Sequence, residues 1–139
     1  MHEWALAESV IEATAAALGS RHPSCLLGVT VLLGELQAID REIFTFALET
    51  LLQERPFRAA SYTLQTDPAR FRCTNCGREW TLAECTGLEE DAREAIHFLP
   101  ETAHAFVRCP SCGGPDYRVQ AGRGVRIESL TLDGAGSCA

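Results

Sequence analysis

The sequence predicts an α+β chain, a small unit of two helices and three strands into which a cysteine-bearing module is inserted. Three observations carry this. Apolar residues recur with helical spacing in two stretches of the first half and alternate with strand spacing in two others. Two Cys-x-x-Cys-Gly knuckles lie in the second half. A last apolar alternation follows them; it is too short to fold alone and is expected to return to the first sheet. The expected units are residues 1–69 plus 120–134, an inserted module at 70–119, and a flexible tail at 135–139.

Residues 4–18 read as a helix, with Leu6, Val10, Ala13, Ala17 and Leu18 in one stripe and Gly19-Ser20 and His22-Pro23 ending it. Leu27, Val29, Val31 and Leu33 alternate in a strand that Gly34-Glu35 closes. Asp40 is the expected N-cap of a second helix that buries Phe44, Ala47, Leu48 and Leu51, and Pro56 requires that helix to end near Arg55. Ala60, Tyr62 and Leu64 alternate in a second strand, broken by Asp67-Pro68. Val125 and Ile127 alternate, then Leu130 and Leu132 continue one residue out of phase, which places a bulge near Glu128-Ser129.

A net charge of −7 offers no electrostatic footprint for nucleic acid. The longest apolar run, Cys25 to Leu33, is far below the roughly 20 residues that span a bilayer, so no membrane association is expected. With no signal-peptide pattern at the start, the expected location is the cytoplasm. An odd count of seven cysteines in that setting argues against a disulfide framework, and Cys25, Cys85 and Cys138 have no assignable role.

The knuckles are Cys73-Thr74-Asn75-Cys76-Gly77 and Cys109-Pro110-Ser111-Cys112-Gly113. Each places two thiolates on a tight turn, and together they supply the four sulfurs of a closed, zinc-ribbon-like structural Zn(II) site. A thiol redox pair is the bland alternative, but no thioredoxin-like βαβ pattern surrounds either knuckle. Few large apolar residues are present, chiefly Phe71, Trp80, Leu82, Phe98 and Phe106, so metal is expected to hold the module together. Thirty-two residues separate the knuckles, against about 15–20 in a compact ribbon. The excess, roughly Cys85 to Ala105, contains His97, His104 and the acidic run Glu89-Glu90-Asp91, and reads as a solvated surface loop.

Met1-His2-Glu3 is the other metal signal. The α-amino group of Met1, the backbone nitrogen of His2 and its imidazole can chelate one ion in a plane, which suits Ni(II) or Cu(II) rather than tetrahedral Zn(II). A fourth position remains. His97, bracketed by Ile96, Phe98 and Pro100, is the candidate to fill it; His104 and His22 are weaker, and water is the bland alternative. Glu3, Glu35 and Asp40 are either ligands or carboxylates engaged in capping.

Met1-His2-Glu3, Leu33-Gly34-Glu35-Leu36 and both knuckles, in this order, resemble the HypA/HybF family of nickel chaperones for nickel–iron hydrogenase maturation, and the long spacer with Ile96 to Glu101 looks like its archaeal-type members. Arg55-Pro56-Phe57-Arg58-Ala59-Ala60 departs from the family's small acidic segment. The resemblance implies a non-enzyme with transient Ni(II) cargo at His2 and structural Zn(II) at the four cysteines. It further implies transfer to a cytosolic maturation GTPase and the hydrogenase large subunit, or urease as client. A homodimer is left open. The rival classes are a rubredoxin-like iron protein for electron transfer and a nucleic-acid-binding zinc ribbon.

Overall fold

In a computed structural model that describes residues 2–85, 89–99, 101, 103–134 and 138, the elements run α1 (His2–Leu18), β1 (Leu26–Gly34), α2 (Arg41–Leu52), β2 (Ser61–Asp67), β3 (Arg70–Cys73), β4 (Glu79–Thr81), α3 (Glu90–Phe98), α4 (Ala103–Phe106), β5 (Tyr117–Ala121) and β6 (Val125–Leu132). Two three-stranded sheets form, ordered β2-β1-β6 and β4-β3-β5. Two units follow. The first holds Met1–Leu32, Asp40–Gln65 and Val125–Ala139, and the second Leu33–Ile39 and Thr66–Gly124.

In the first unit the last strand does return to the first sheet, beside β1. Helices α1 and α2 pack on each other. The buried stripe of α1 is Glu3, Ala7, Val10, Ile11, Thr14 and Leu18, so the expected stripe is rotated, and Ala13 and Ala17 face solvent. A methyl group costs little to expose, and the buried Thr14 hydroxyl is satisfied by donating to Val10 O at 2.8 Å and accepting from Tyr62 Oη at 3.0 Å. Asp40 caps α2 as expected, its Oδ1 accepting from Glu42 N and Ile43 N at 3.0 and 3.1 Å; such a cap is worth about 1 kcal/mol. Along β1, Leu26, Val29, Val31 and Leu33 are buried while Leu27 is 50 % exposed. The alternation slips at Gly28, because the short 3-10 turn Pro23–Cys25 delivers Leu26 as the first inward residue. Burial along β6 slips where expected, with Glu128 and Ser129 both exposed.

The expectation of no disulfide is overturned, since Cys25 and Cys138 are bonded. Cys138 is therefore held rather than trailing in a flexible tail; residues 135–137 and 139 lie outside the described residues. Spacing could not reveal this pair, because its partners are 113 residues apart in sequence.

In the second unit β3 is central, pairing antiparallel with β4 (Phe71 opposite Trp80) and with β5 (Phe71 opposite Val119). Phe71, Trp80 and Tyr117 form a mutual aromatic cluster with all three centroid separations at 5.4 Å. The spacer is not a solvated loop: it carries α3 and α4, and Ala92, Ile96, Ala103 and Val107 are buried. Acidic Glu90 and Asp91 occupy the first turn of α3, where they match the helix dipole. Residues 86–88, 100 and 102 lie outside the described residues. Phe98 and Phe106, two of the module's few large apolar residues, are 60 % and 47 % exposed; Leu36, Ile96, Val107 and Tyr117 complete the core instead. Leu36 brings the segment Leu33–Ile39 into this unit, away from the first unit to which the sequence assigned it.

Gly122 sits at φ +88°, and a Cβ there would lie 2.3 Å from Ala69 Cα. Its N–H donates to Asp67 Oδ2 at 3.0 Å, and its carbonyl accepts from Leu36 N at 2.9 Å. Left-handed backbone strain and overpacking against backbone add here, so Gly122→Ala is expected to destabilise the second unit by on the order of 3 kcal/mol. Urea unfolding followed by Trp80 fluorescence in a Trp4→Phe background measures it, and an unshifted midpoint contradicts the crowding.

Candidate metal centre

Antiparallel β3 ends at Cys73, and the chain then turns through Thr74 and Asn75 to Cys76. Cys109 and Cys112 flank the equivalent turn after α4. Gly77 at φ +77° and Gly113 at φ +71° close the turns, donating to Cys73 O at 3.0 Å and Cys109 O at 2.8 Å. Only glycine adopts this conformation without strain. The four sulfurs lie within 4.8 Å of one another, and the cross-knuckle pairs Cys73–Cys112 and Cys76–Cys109 are both 3.6 Å apart. A tetrahedral ion with metal–sulfur bonds of about 2.3 Å needs sulfurs roughly 3.8 Å apart, so the donor set fits such an ion in both number and spacing. Four soft ligands leave no position open, which makes the site structural in type rather than catalytic.

Backbone dipoles converge on the sulfurs. Cys76 N donates to Cys73 Sγ and Gly114 N to Cys112 Sγ, both at 3.4 Å, and Asn75 Nδ2 reaches Cys112 Sγ at 3.7 Å. The Cys76 N–H outweighs burial to hold the Cys73 thiol below its usual range. Burial pushes the Cys109 thiol up, but the N–H groups of Cys112 and Ser111 and the neighbouring thiols Cys76 and Cys112 bring it down to about 6. Cys76 is drawn down by the Arg78 N–H, yet Cys109, burial and the other thiols push it up to about 11. Arg78 braces the arrangement: Nη1 donates to Ser111 Oγ at 2.9 Å and Nη2 to Glu84 Oε2 at 2.7 Å. Neither this brace nor Asn75 was recognised from the sequence, where an Arg after Cys-Gly carries no pattern.

The other singled-out residues fall elsewhere. Cys85 stays outside the cluster; burial pushes its thiol up, partly offset by the Trp80 N–H, and its Sγ donates to Thr81 O at 3.7 Å. His104 stacks on Tyr117 at 4.4 Å, and His22 Nδ1 caps the 3-10 turn by accepting from Ser24 N at 3.2 Å. The carboxylates meet backbone N–H groups: Glu3 accepts from Asp40 N at 3.4 Å, Glu35 from Ala69 N at 2.8 Å, and Asp40 is the N-cap already described. Of the nickel candidates, Met1 lies outside the described residues. His2 opens α1 in the first unit, and half-buried His97 sits in the last turn of α3 in the second, edge-on to Phe98 at 5.0 Å. Nothing within either unit brings them together.

Comparison with known proteins addresses the whole chain. A family model described as hydrogenase/urease nickel incorporation, metallochaperone, hypA matches residues 1–132. Hydrogenase maturation factor HypA of Pyrococcus abyssi is 41% identical over 134 residues, covering 96% of both chains. That of Pyrococcus horikoshii is 41% identical over 137 residues, covering 98% of this chain and 99% of the relative. The fold is similar to the solution structure of the Ni metallochaperone HypA from Helicobacter pylori, with a TM-score of 0.60 at 18% identity over 94% of this chain and 96% of that one.

Removing one sulfur leaves three thiolates and an open position, so Cys109→Ser is expected to lose the bound metal and melt the second unit, with the circular-dichroism signal of α1 and α2 retained. Stoichiometric metal in that variant contradicts the four-sulfur site. Acid acts the same way. Thiolates must be deprotonated to bind, and the metal-free Cys109 thiol already sits near about 6; metal lowers the apparent value further. All four thiols must give up their protons to bind, so metal is expected to be released as pH falls, which a chromogenic chelator titration follows.

Proposed function

The chain belongs to the HypA family of metallochaperones for nickel incorporation into hydrogenase and urease, and we propose that it carries Ni(II) at its amino terminus and Zn(II) at Cys73, Cys76, Cys109 and Cys112. The observation that carries the nickel reading is the place of His2 in the first turn of α1. The backbone nitrogen of His2, its imidazole and the amine of Met1 can serve one ion in a plane. Glu3, the next residue, turns its carboxylate to Asp40 N and anchors the base of the tail. That contact supports a positioning role for Glu3 rather than a ligand role.

The two donor sets suit opposite tasks. Four thiolates with no vacant position retain an ion and stabilise a fold. A planar set of nitrogens at a chain end can be stripped by a partner's donors, which cargo transfer requires. His97 is proposed as the donor that completes the plane. Delivery would run to a maturation GTPase and the large subunit of nickel–iron hydrogenase, with urease as the alternative client. No reacting group is needed: the work is done by ligand exchange.

His2→Ala, or one residue added before Met1, is expected to abolish tight nickel binding with zinc content and helical signal unchanged, as read by nickel titration of untagged protein. An extended protein that binds nickel equally well refutes the chelate. His97→Ala is expected to weaken nickel binding at least about tenfold and remove the square-planar absorption band with zinc retained; an unchanged spectrum removes His97 from the site. Colourless protein supports zinc at the four cysteines, whereas a red one marks iron.

A further inference from the structure

The bond between Cys25 and Cys138 lies wholly within the first unit and takes no part in the metal chemistry above. We propose that these two cysteines are a thiol–disulfide exchange site, a redox latch that pins the C-terminal end of the chain when oxidised and releases it when reduced by a dithiol. Three contacts converge there. Asp133 N donates to Cys25 O at 2.8 Å, bringing the end of β6 to the start of β1. The disulfide follows, with its Cα atoms 5.5 Å apart. Arg21 then holds the far side, its Nε donating to Cys138 O at 3.3 Å and its Nη1 to Leu18 O at 3.4 Å. One guanidinium thereby joins the carboxyl end of α1 to the backbone of Cys138.

The covalent bond fixes Cys138 to Cys25, and the Arg21 guanidinium holds its carbonyl. Both cysteines are buried, 2 % and 5 % exposed, which slows attack by a dithiol on the closed bond without preventing it. The other five cysteines are unbonded, and four of them form the sulfur cluster of the second unit.

The exchange balances. A thiolate of the dithiol attacks one sulfur of the Cys25–Cys138 bond, which breaks; the second cysteine leaves as a thiolate and takes a proton. The dithiol's other thiol resolves the mixed disulfide, so two electrons and two protons pass to Cys25 and Cys138 and the dithiol becomes a disulfide. Glutathione disulfide drives the reverse.

Alkylation of protein purified without reductant, in denaturant with a zinc chelator, is expected to label five cysteines, and seven after phosphine reduction. A peptide joining residues 25 and 138 accounts for the difference. Reduction of the native protein is expected to lower its thermal midpoint by about 10 °C or more, with zinc content unchanged and glutathione disulfide restoring it. Cys138→Ser leaves Cys25 in place; it is expected to start at the lower midpoint and not respond to reduction. Seven labelled cysteines before reduction, or a wild-type midpoint indifferent to reduction, overturns the latch. These readouts involve no nickel, so their failure is distinct from failure of the nickel reading.

Discussion

Convergence of four sulfur atoms is the constraint on which the second unit depends. Its strands are four, three and five residues long, too short to hold a sheet by ladder hydrogen bonds alone. The aromatic cluster of Phe71, Trp80 and Tyr117 packs one layer of core. The knuckles lie at its margin: Cys73 and Cys109 are part of that buried cluster, and Cys76 and Cys112 are exposed. Two sulfurs thus belong to the core and two to the surface, and an ion joining them would tie both turns to the hydrophobic layer. Structural zinc contributes about 10–16 kcal/mol, as much as the whole stability of an ordinary domain.

The first unit is stabilised differently. Two amphipathic helices pack on each other, and its sheet brings the last strand beside the first. Its buried polar groups are used to join elements: Thr14 links α1 to Tyr62 on β2, and Glu3 links α1 to the cap of α2. Such groups stabilise when paired and cost heavily when orphaned, so they favour one register of helix on helix. A rigid α1 suits the proposed terminal chelate, because His2 opens the helix. The closed thiolate set belongs to the second unit, and the terminal nitrogens of the proposed exchangeable site belong to the first.

The sequence by itself determined the element order of the first unit, the Asp40 cap, the return of the last strand and the membership of the four-sulfur cluster. Each rests on local information: apolar spacing within one element, one side chain meeting nearby N–H groups, or two cysteines on one turn. It also carried the family, through motifs at fixed positions. Tertiary packing decided the rest. Ala13 and Ala17 face solvent because small residues make a helical stripe ambiguous, and contacts with Tyr62 select Thr14 for the interior. The spacer folds into α3 and α4 because Ala92, Ile96, Ala103 and Val107 find a core to bury against, while Phe98 and Phe106, larger and more apolar, remain exposed. Leu36 joins the second unit for the same reason. The bond between Cys25 and Cys138 depends on β1 and β6 lying side by side, and no count of cysteines or reading of local spacing contains that adjacency.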